Sequence, residues 1–256
     1  MYQNIFLDIK KMKMHIWDDT KGHLEVPFRK YAYVKDGNGQ HVSLYGDRLK
    51  KVTNYDKDDP TLHESDVPPT TRFLVDNYGD SDEMSVGHRI MFFDIEVEVT
   101  DGFPDVQKAQ NVITSIALYD CLTDKYFTYC FDPEKRIKSY TKDDEVVEFY
   151  DTEYEMLNKF FQKYLEIRPT IVSGWNSEFF DIPYLYNRAV RILGPEVANL
   201  LSPISQVLYS EYKKKHTIAG VSSLDYLQLY RQFTFGQKSS YRLDYIGEVE
   251  VGMKKV

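Results

Sequence analysis

Along the chain, the spacing of apolar positions changes from a strand-like to a helix-like period. Through about Lys51 apolar and polar residues alternate in short runs, NIFLDI, KMHIW, YAYV and VSLYG, and the separators DDTKG and KDGNG carry turn chemistry. From Asn54 to Pro69 the chain becomes polar, in DKDDP and ESDVPP, and a second polar patch, DNYGDSDEM, occupies 76 to 84. This pattern predicts a smaller β-rich amino-terminal domain over 1–85, with the boundary near Glu83.

Three strand candidates follow: HRIMFFDIEVEV (88–99), NVITSIALYD (111–120) and DKYFTYCFD (124–132). Their connections, DGFPDVQKAQ and CLT, are short enough for an antiparallel meander. The period then lengthens. In DTEYEMLNKFFQKYLEIRP, residues Leu157, Phe160, Phe161, Tyr164 and Leu165 share a helical face, Thr152 and Glu155 have capping-box spacing, and Pro169 marks the stop. A short strand over 170–173 leads into a second helix that ends at Gly194 and Pro195. The order strand, strand, strand, helix, strand, helix predicts a mixed α/β domain over 86–256, its sheet flanked by helices.

With 256 residues, two domains can each bury a core. No apolar run is long enough to span a bilayer, Met1 to Lys30 lacks the succession of a secretory signal, and there are only two cysteines, Cys121 and Cys130. These features point to a cytoplasmic protein without a membrane partner. The net charge of −8 argues against nonspecific coating of nucleic acid, which depends on Lys and Arg neutralising phosphates. It leaves room for a nuclease, whose metal ligands are themselves acidic.

Asp94, Glu96 and Glu98 alternate with Ile95, Val97 and Val99, so a strand turns all three carboxylates to one face. Residues two apart lie roughly 6.5 to 7 Å from each other, enough to reach both sides of a metal pair about 3.5 to 4 Å apart. Oxygen ligands alone suit Mg2+ or Mn2+. A solvated acidic face on a half-buried edge strand is the competing reading. Against it, Ile90 to Phe93 are apolar at every position, as in a strand covered on both faces, and like charges on one face repel without a cation. Asp181, in GWNSEFFDIPYLYNR, is placed either to cap the second helix or to supply a third ligand, and the two roles are compatible.

FDIEVEVTDGFPD resembles the first exonuclease motif of family B DNA polymerases and SGWNSEFFDIPYLYNR the second, both most like those of the replicative polymerases of T-even-type bacteriophages. The similarity continues through VSSLDYLQLYRQFTFGQKSSYRLDYIGEVEVG and covers nearly everything from about Arg89 onward. The region before it resembles their amino-terminal domain only loosely. The resemblance implies a ribonuclease H-like fold with two-metal 3′→5′ proofreading chemistry on the primer 3′ end, in single-stranded DNA, within the cytoplasm of a bacterial host. By the motifs, Asp94, Glu96 and Asp181 correspond to catalytic metal ligands for two Mg2+ or Mn2+. Asn176 and Phe180 correspond to positions lining the groove for the 3′ end. LYSEYKKKHTIAGV, with Lys213, Lys214 and Lys215, resembles the hairpin that helps part primer from template, although a solvated basic loop fits these residues equally well. The family's third motif, a tyrosine followed four residues later by an aspartate, has no match before Val256. The expectation is therefore a domain incomplete at its C-terminus, with weak or single metal occupancy and little activity alone, completed by a separate C-terminal polymerase polypeptide. The alternative is a non-catalytic module that binds single-stranded DNA or mRNA through the same fold.

Overall fold

The structure is a computed structural model that describes residues 1–100 and 102–253. Asp101, in the DGFPDVQKAQ connection, and positions 254–256 lie outside the described residues. The chain divides into two compact units, Met1–Gly87 and His88–Val256.

In the first unit, β1 (Tyr2–Asp8), β2 (Lys13–Asp18) and β3 (Gly22–Pro27) form an antiparallel sheet in that order. Met14 and Ile16 of β2 are buried with Phe28, against Leu7, Leu24, Val26 and Phe73. DDTKG is the turn between β2 and β3, closed by Asp18 accepting the N–H groups of Thr20 and Lys21 at 3.0 and 2.9 Å. A second sheet contains β4 (Ala32–Lys35), β5 (His41–Val42), β6 (Arg48–Val52) and β7 (Leu62–His63), in the order β5-β6-β4-β7. The expected strand VSLYG is mostly a turn. Ser43 Oγ accepts from the N–H groups of Tyr45 and Asp47, Gly46 takes a left-handed φ of 83°, and Leu44 and Tyr45 are exposed. Helix α1 (Pro69–Tyr78) begins with proline at its first turn and runs into the second polar patch.

In the second unit, β8 (Ile90–Val97), β9 (Ile113–Asp120) and β10 (Lys125–Phe131) form the antiparallel meander. Two further strands, β11 (Tyr140–Lys142) and β12 (Glu145–Tyr150), extend the sheet before α2 (Glu153–Ile167), and β12 runs parallel to β10. Thr152 caps α2, its hydroxyl accepting the Glu155 N–H at 3.2 Å. The helix stops at Arg168, which takes a left-handed φ of 50° before Pro169. Next come β13 (Ile171–Gly174), α3 (Asp181–Leu193), the short α4 (Pro195–Ala198), the hairpin β14 (Val207–Ser210) and β15 (Lys215–Ile218), then β16 (Ser222–Asp225), α5 (Tyr226–Phe233) and α6 (Leu243–Val251). The main sheet has the order β11-β12-β10-β9-β8-β13-β16, with β13 parallel to both β8 and β16. It is a mixed sheet with helices.

Met91, Phe93 and Ile95 of β8 pack into one core with Leu157, Phe160, Phe161 and Tyr164 of α2 and with Ile182, Leu185 and Ala189 of α3. Contrary to the reading of Ile90–Phe93, the opposite face of β8 is not fully covered. Phe92 is 37% exposed and lies beside Tyr119, which in turn contacts Tyr126, so aromatic neighbours on β9 and β10 shelter it in place of a helix. The acidic strand is also shorter than expected. β8 ends at Val97, and the register slips between Glu96 and Val97 because Thr114 of β9 bulges out. Asp94 and Glu96 remain on the strand, whereas Glu98 lies past the bulge with its N–H bonded to Val112 O at 2.9 Å.

Candidate functional site

Asp181 is the first residue of α3, and the position before it, Phe180, makes no side-chain cap. The carboxylate does not cap the helix. It crosses to β8, where Oδ1 accepts the Ile95 N–H at 3.0 Å. The group is 3% exposed. Burial, reinforced by the charges of Asp94 and Asp225, pushes its pKa up to about 7, although the bond from Ile95 opposes the shift. Desolvation therefore outweighs both that bond and the favourable position at a helix N-terminus.

Asp94 is half-buried on β8 and Glu96 is exposed beside it. With Asp181 they offer only oxygen donors, the set that suits a hard divalent cation. Asp181 also has a charge that burial penalises and a cation would offset, so the residues present fit such an ion. The trio is not a tight cage. Among the described residues, the group of potential ligands that closes to within 4.8 Å is His15, His23 and Glu25, in the first unit.

The segment between β13 and α3 is fastened by Asp225, a residue that neither composition nor alternation singles out. Asp225 is buried at the end of β16, paired with Gly174 in the parallel ladder. Its Oδ1 accepts the N–H groups of Asn176 (3.1 Å) and Leu227 (2.9 Å), and its Oδ2 accepts that of Glu178 (3.1 Å). It thus caps α5 and fixes the loop in one step. The signal available in the sequence was the Asp of SLDYL just before an apolar helical pattern, which is the position of an N-cap. Asn176 is held at a φ of 64°, a left-handed conformation that Asn tolerates better than most residues. Phe180 packs on Tyr184 at 5.7 Å and on Phe103, which is 82% exposed, at 5.3 Å.

Gly174 is required by close approach. A Cβ there would lie 2.6 Å from Phe93 O and 2.9 Å from Ser177 Cβ. Gly174→Ala is expected to push β13 away from β8 and to destabilise the protein by about 1 to 3 kcal/mol in urea unfolding. An unchanged midpoint would mean that the strand yields without cost.

The three lysines do not form one free basic cluster. Lys215, on β15, holds Glu178 through both carboxylate oxygens at 2.9 and 3.0 Å, which ties the hairpin to the 175–180 loop. Lys214, in the turn, pairs with Glu211 at 3.0 Å in the open, a contact that contributes little. Lys213 is exposed in the same turn.

The mixed sheet, the helices packed on it and the preceding β-rich unit define a ribonuclease H-like α/β domain of the exonuclease class. Residues 80–246 match the family described as DNA polymerase family B, exonuclease domain, and the chain belongs to that family. It is 34% identical over 197 residues to the DNA-directed DNA polymerase of Escherichia phage RB69, covering 66% of this chain and 22% of that protein. Identity to the DNA-directed DNA polymerase of Enterobacteria phage T4 is 32% over 189 residues, 63% of this chain and 21% of the relative. DNA polymerase 1 of Saccharolobus solfataricus is 28% identical over 221 residues, 77% of this chain and 23% of its own length. The chain thus spans about a fifth of the length of these relatives. Among the described residues, no helix is long and apolar enough to cross a membrane.

Proposed function

We propose that the His88–Val256 unit is a 3′→5′ exonuclease domain that trims single-stranded primer ends for a replicative DNA polymerase, and that Met1–Gly87 is the amino-terminal domain of that polymerase. The observation that carries this reading is Asp181, a buried carboxylate turned toward β8 under the charge of Asp94. Such a group is costly alone and favourable once positive charge arrives.

In this reading Asp94, Glu96 and Asp181 would hold Mg2+ or Mn2+, two ions in a complete site and fewer or weaker in this chain alone. When bound, such ions supply charge to the scissile phosphate and lower the pKa of a water. The remaining work falls to the chain itself. The Ile95 N–H fixes the direction of Asp181 by holding one of its oxygens. Phe180, supported by Tyr184 and Phe103, offers an aromatic surface to the terminal base, and Asn176 offers an amide to its sugar and phosphate. Lys213 and Lys214 raise the local positive potential at the hairpin turn, where the two strands of a frayed primer end would separate. Lys215 acts through Glu178 to keep that hairpin beside the loop.

The test is the binding of a 5′-labelled single-stranded oligonucleotide, read by fluorescence anisotropy with Mg2+ and with chelator, together with release of the 3′-terminal nucleotide. Mg2+ should strengthen binding, Asp94→Ala should abolish that enhancement, and Phe180→Ala should weaken binding about 10-fold, the equivalent of one lost base stack. Binding indifferent to chelation and to both substitutions would instead favour a non-catalytic nucleic-acid module.

A further inference from the structure

The first unit carries a cluster of different chemistry, independent of the exonuclease reading. His15 lies on β2, and His23 and Glu25 lie two residues apart on β3. In the antiparallel register His15 is directly opposite Glu25, and Trp17 is opposite His23, so all four side chains share one face. His15 Nδ1 lies 3.1 Å from His23 Nε2 and 3.9 Å from Glu25 Oε1, and the three ligand atoms fall within 4.8 Å of one another.

We propose that His15, His23 and Glu25 form a binding site for a borderline divalent transition ion, Zn2+. Two imidazoles and one carboxylate are a donor set of borderline softness, which favours such an ion over Mg2+. At Zn–N distances of about 2.0 to 2.1 Å, two nitrogens on one ion stand roughly 2.9 to 3.4 Å apart, and the His15–His23 separation of 3.1 Å lies in that interval. Without an ion the two nitrogens face one another and share a single proton. An ion replaces that proton from the side, which requires His23 and Glu25 to turn toward it.

Both of those residues are exposed and have room to turn, while His15 is buried and held by ring contacts with Phe6 and Trp17. Trp17 also stacks on His23 at 4.8 Å, which limits the directions the ring can take. The second oxygen of Glu25 accepts from Lys13 Nζ at 2.8 Å, a contact that orients the carboxylate while leaving Oε1 for the ion. The other nitrogen of His15, Nε2, is buried without a partner, so no second bond locks the ring into one tautomer. Three protein ligands leave a fourth position for water, as in open zinc sites.

The experiment is isothermal titration of the untagged full chain with Zn2+ at about pH 7.5, in excess Mg2+ to fill oxygen-only sites. One Zn2+ per chain is expected. His23→Ala, at an exposed position that the fold does not need, should weaken binding at least about 10-fold, and Asp94→Asn should leave it unchanged. Zn2+ should also raise the thermal midpoint of the wild type and not that of His23→Ala. No Zn2+ binding by the wild type would overturn the proposal. So would equal affinity in His23→Ala, or loss of binding in Asp94→Asn, which would put the ion among the carboxylates of the other unit.

Discussion

Asp181→Asn is expected to stabilise the metal-free protein at pH 8, by about 2 kcal/mol, the reverse of what most buried polar substitutions do. In the folded state the carboxylate titrates near 7, whereas in an unfolded chain it titrates near the ordinary aspartate value of 3.8. Between those values the native state holds a proton that the unfolded chain has released. The stability from that proton is fully present below about pH 4 and is lost as the pH rises through about 7. At about 1.4 kcal/mol per pH unit, the accumulated penalty at pH 8 is on the order of 4 kcal/mol. Asparagine avoids it, keeps an oxygen for the Ile95 N–H, and introduces an amide N–H2 whose desolvation costs about 1 to 3 kcal/mol. The advantage should therefore shrink on acidification and reverse near pH 4. Urea midpoints in chelator at pH 8 and pH 4 measure both signs. With Mg2+ added at pH 8 the wild type should gain stability and the variant should gain little, because only the carboxylate rewards the ion. A variant less stable than the wild type at pH 8 in chelator would refute this account of Asp181.

The second large effect lies at the buried pair of Glu153 and Arg188, which joins the start of α2 to α3. Arg188 donates through Nε and Nη2 to the two carboxylate oxygens at 2.8 and 2.5 Å, and both side chains are less than a tenth exposed. The remaining capacity is also used. Arg188 Nη1 reaches the carbonyls of Ala109 and Gln110, and the Ile113 N–H donates to Glu153 Oε1 at 2.9 Å. The pair thus binds two helices, the start of β9 and the connection before it. Arg188→Met leaves a buried carboxylate with one N–H and two carbonyls without donors, and should cost about 3 to 5 kcal/mol. Glu153→Gln should cost less, since its amide oxygen still accepts from Ile113 or Arg188 while the guanidinium loses its counter-charge. Combining Arg188→Met with Glu153→Gln should cost less than the sum of the two, because each single change strands the other's partner. Simple additivity in urea unfolding would show that the two groups are not energetically coupled.

Where one periodicity ran long enough to dominate, the sequence made the fold legible. The meander of β8, β9 and β10 and helices α2 and α3 follow from residue spacing, as does the end of α2 at Pro169. Some short elements were not legible, although YAYV and 170–173 were read as strands and are strands. β3, β6, β11 and β12 are six residues or fewer, and their alternation is diluted by charged positions such as Lys50, Lys51 and Glu145. α1 was hidden because its first turn lies in a proline-rich polar stretch and its last turn in an acidic one. VSLYG alternates as a strand does, but a local hydroxyl-to-backbone turn claims its amides first. At the candidate site, the face shared by Asp94 and Glu96 could be read from alternation, while the bulge that sets Glu98 apart belongs to β9 and leaves no mark on β8. Asp181 illustrates the remaining limit. Its position before a helical pattern suggested a cap, and only the packing of α3 against β8 sends the carboxylate across to Ile95.

The 174–180 loop is held at one end by Gly174 against β8, in its middle by the buried Asp225, and at Glu178 by Lys215. Most of its conformational entropy is therefore surrendered when the protein folds. A ligand docking against Asn176 and Phe180 meets a preorganised edge and bears little further ordering cost, so even a short or weakly stacking end can be held. The same rigidity limits adaptation: discrimination between ligands at this edge rests on how each fits a fixed shape.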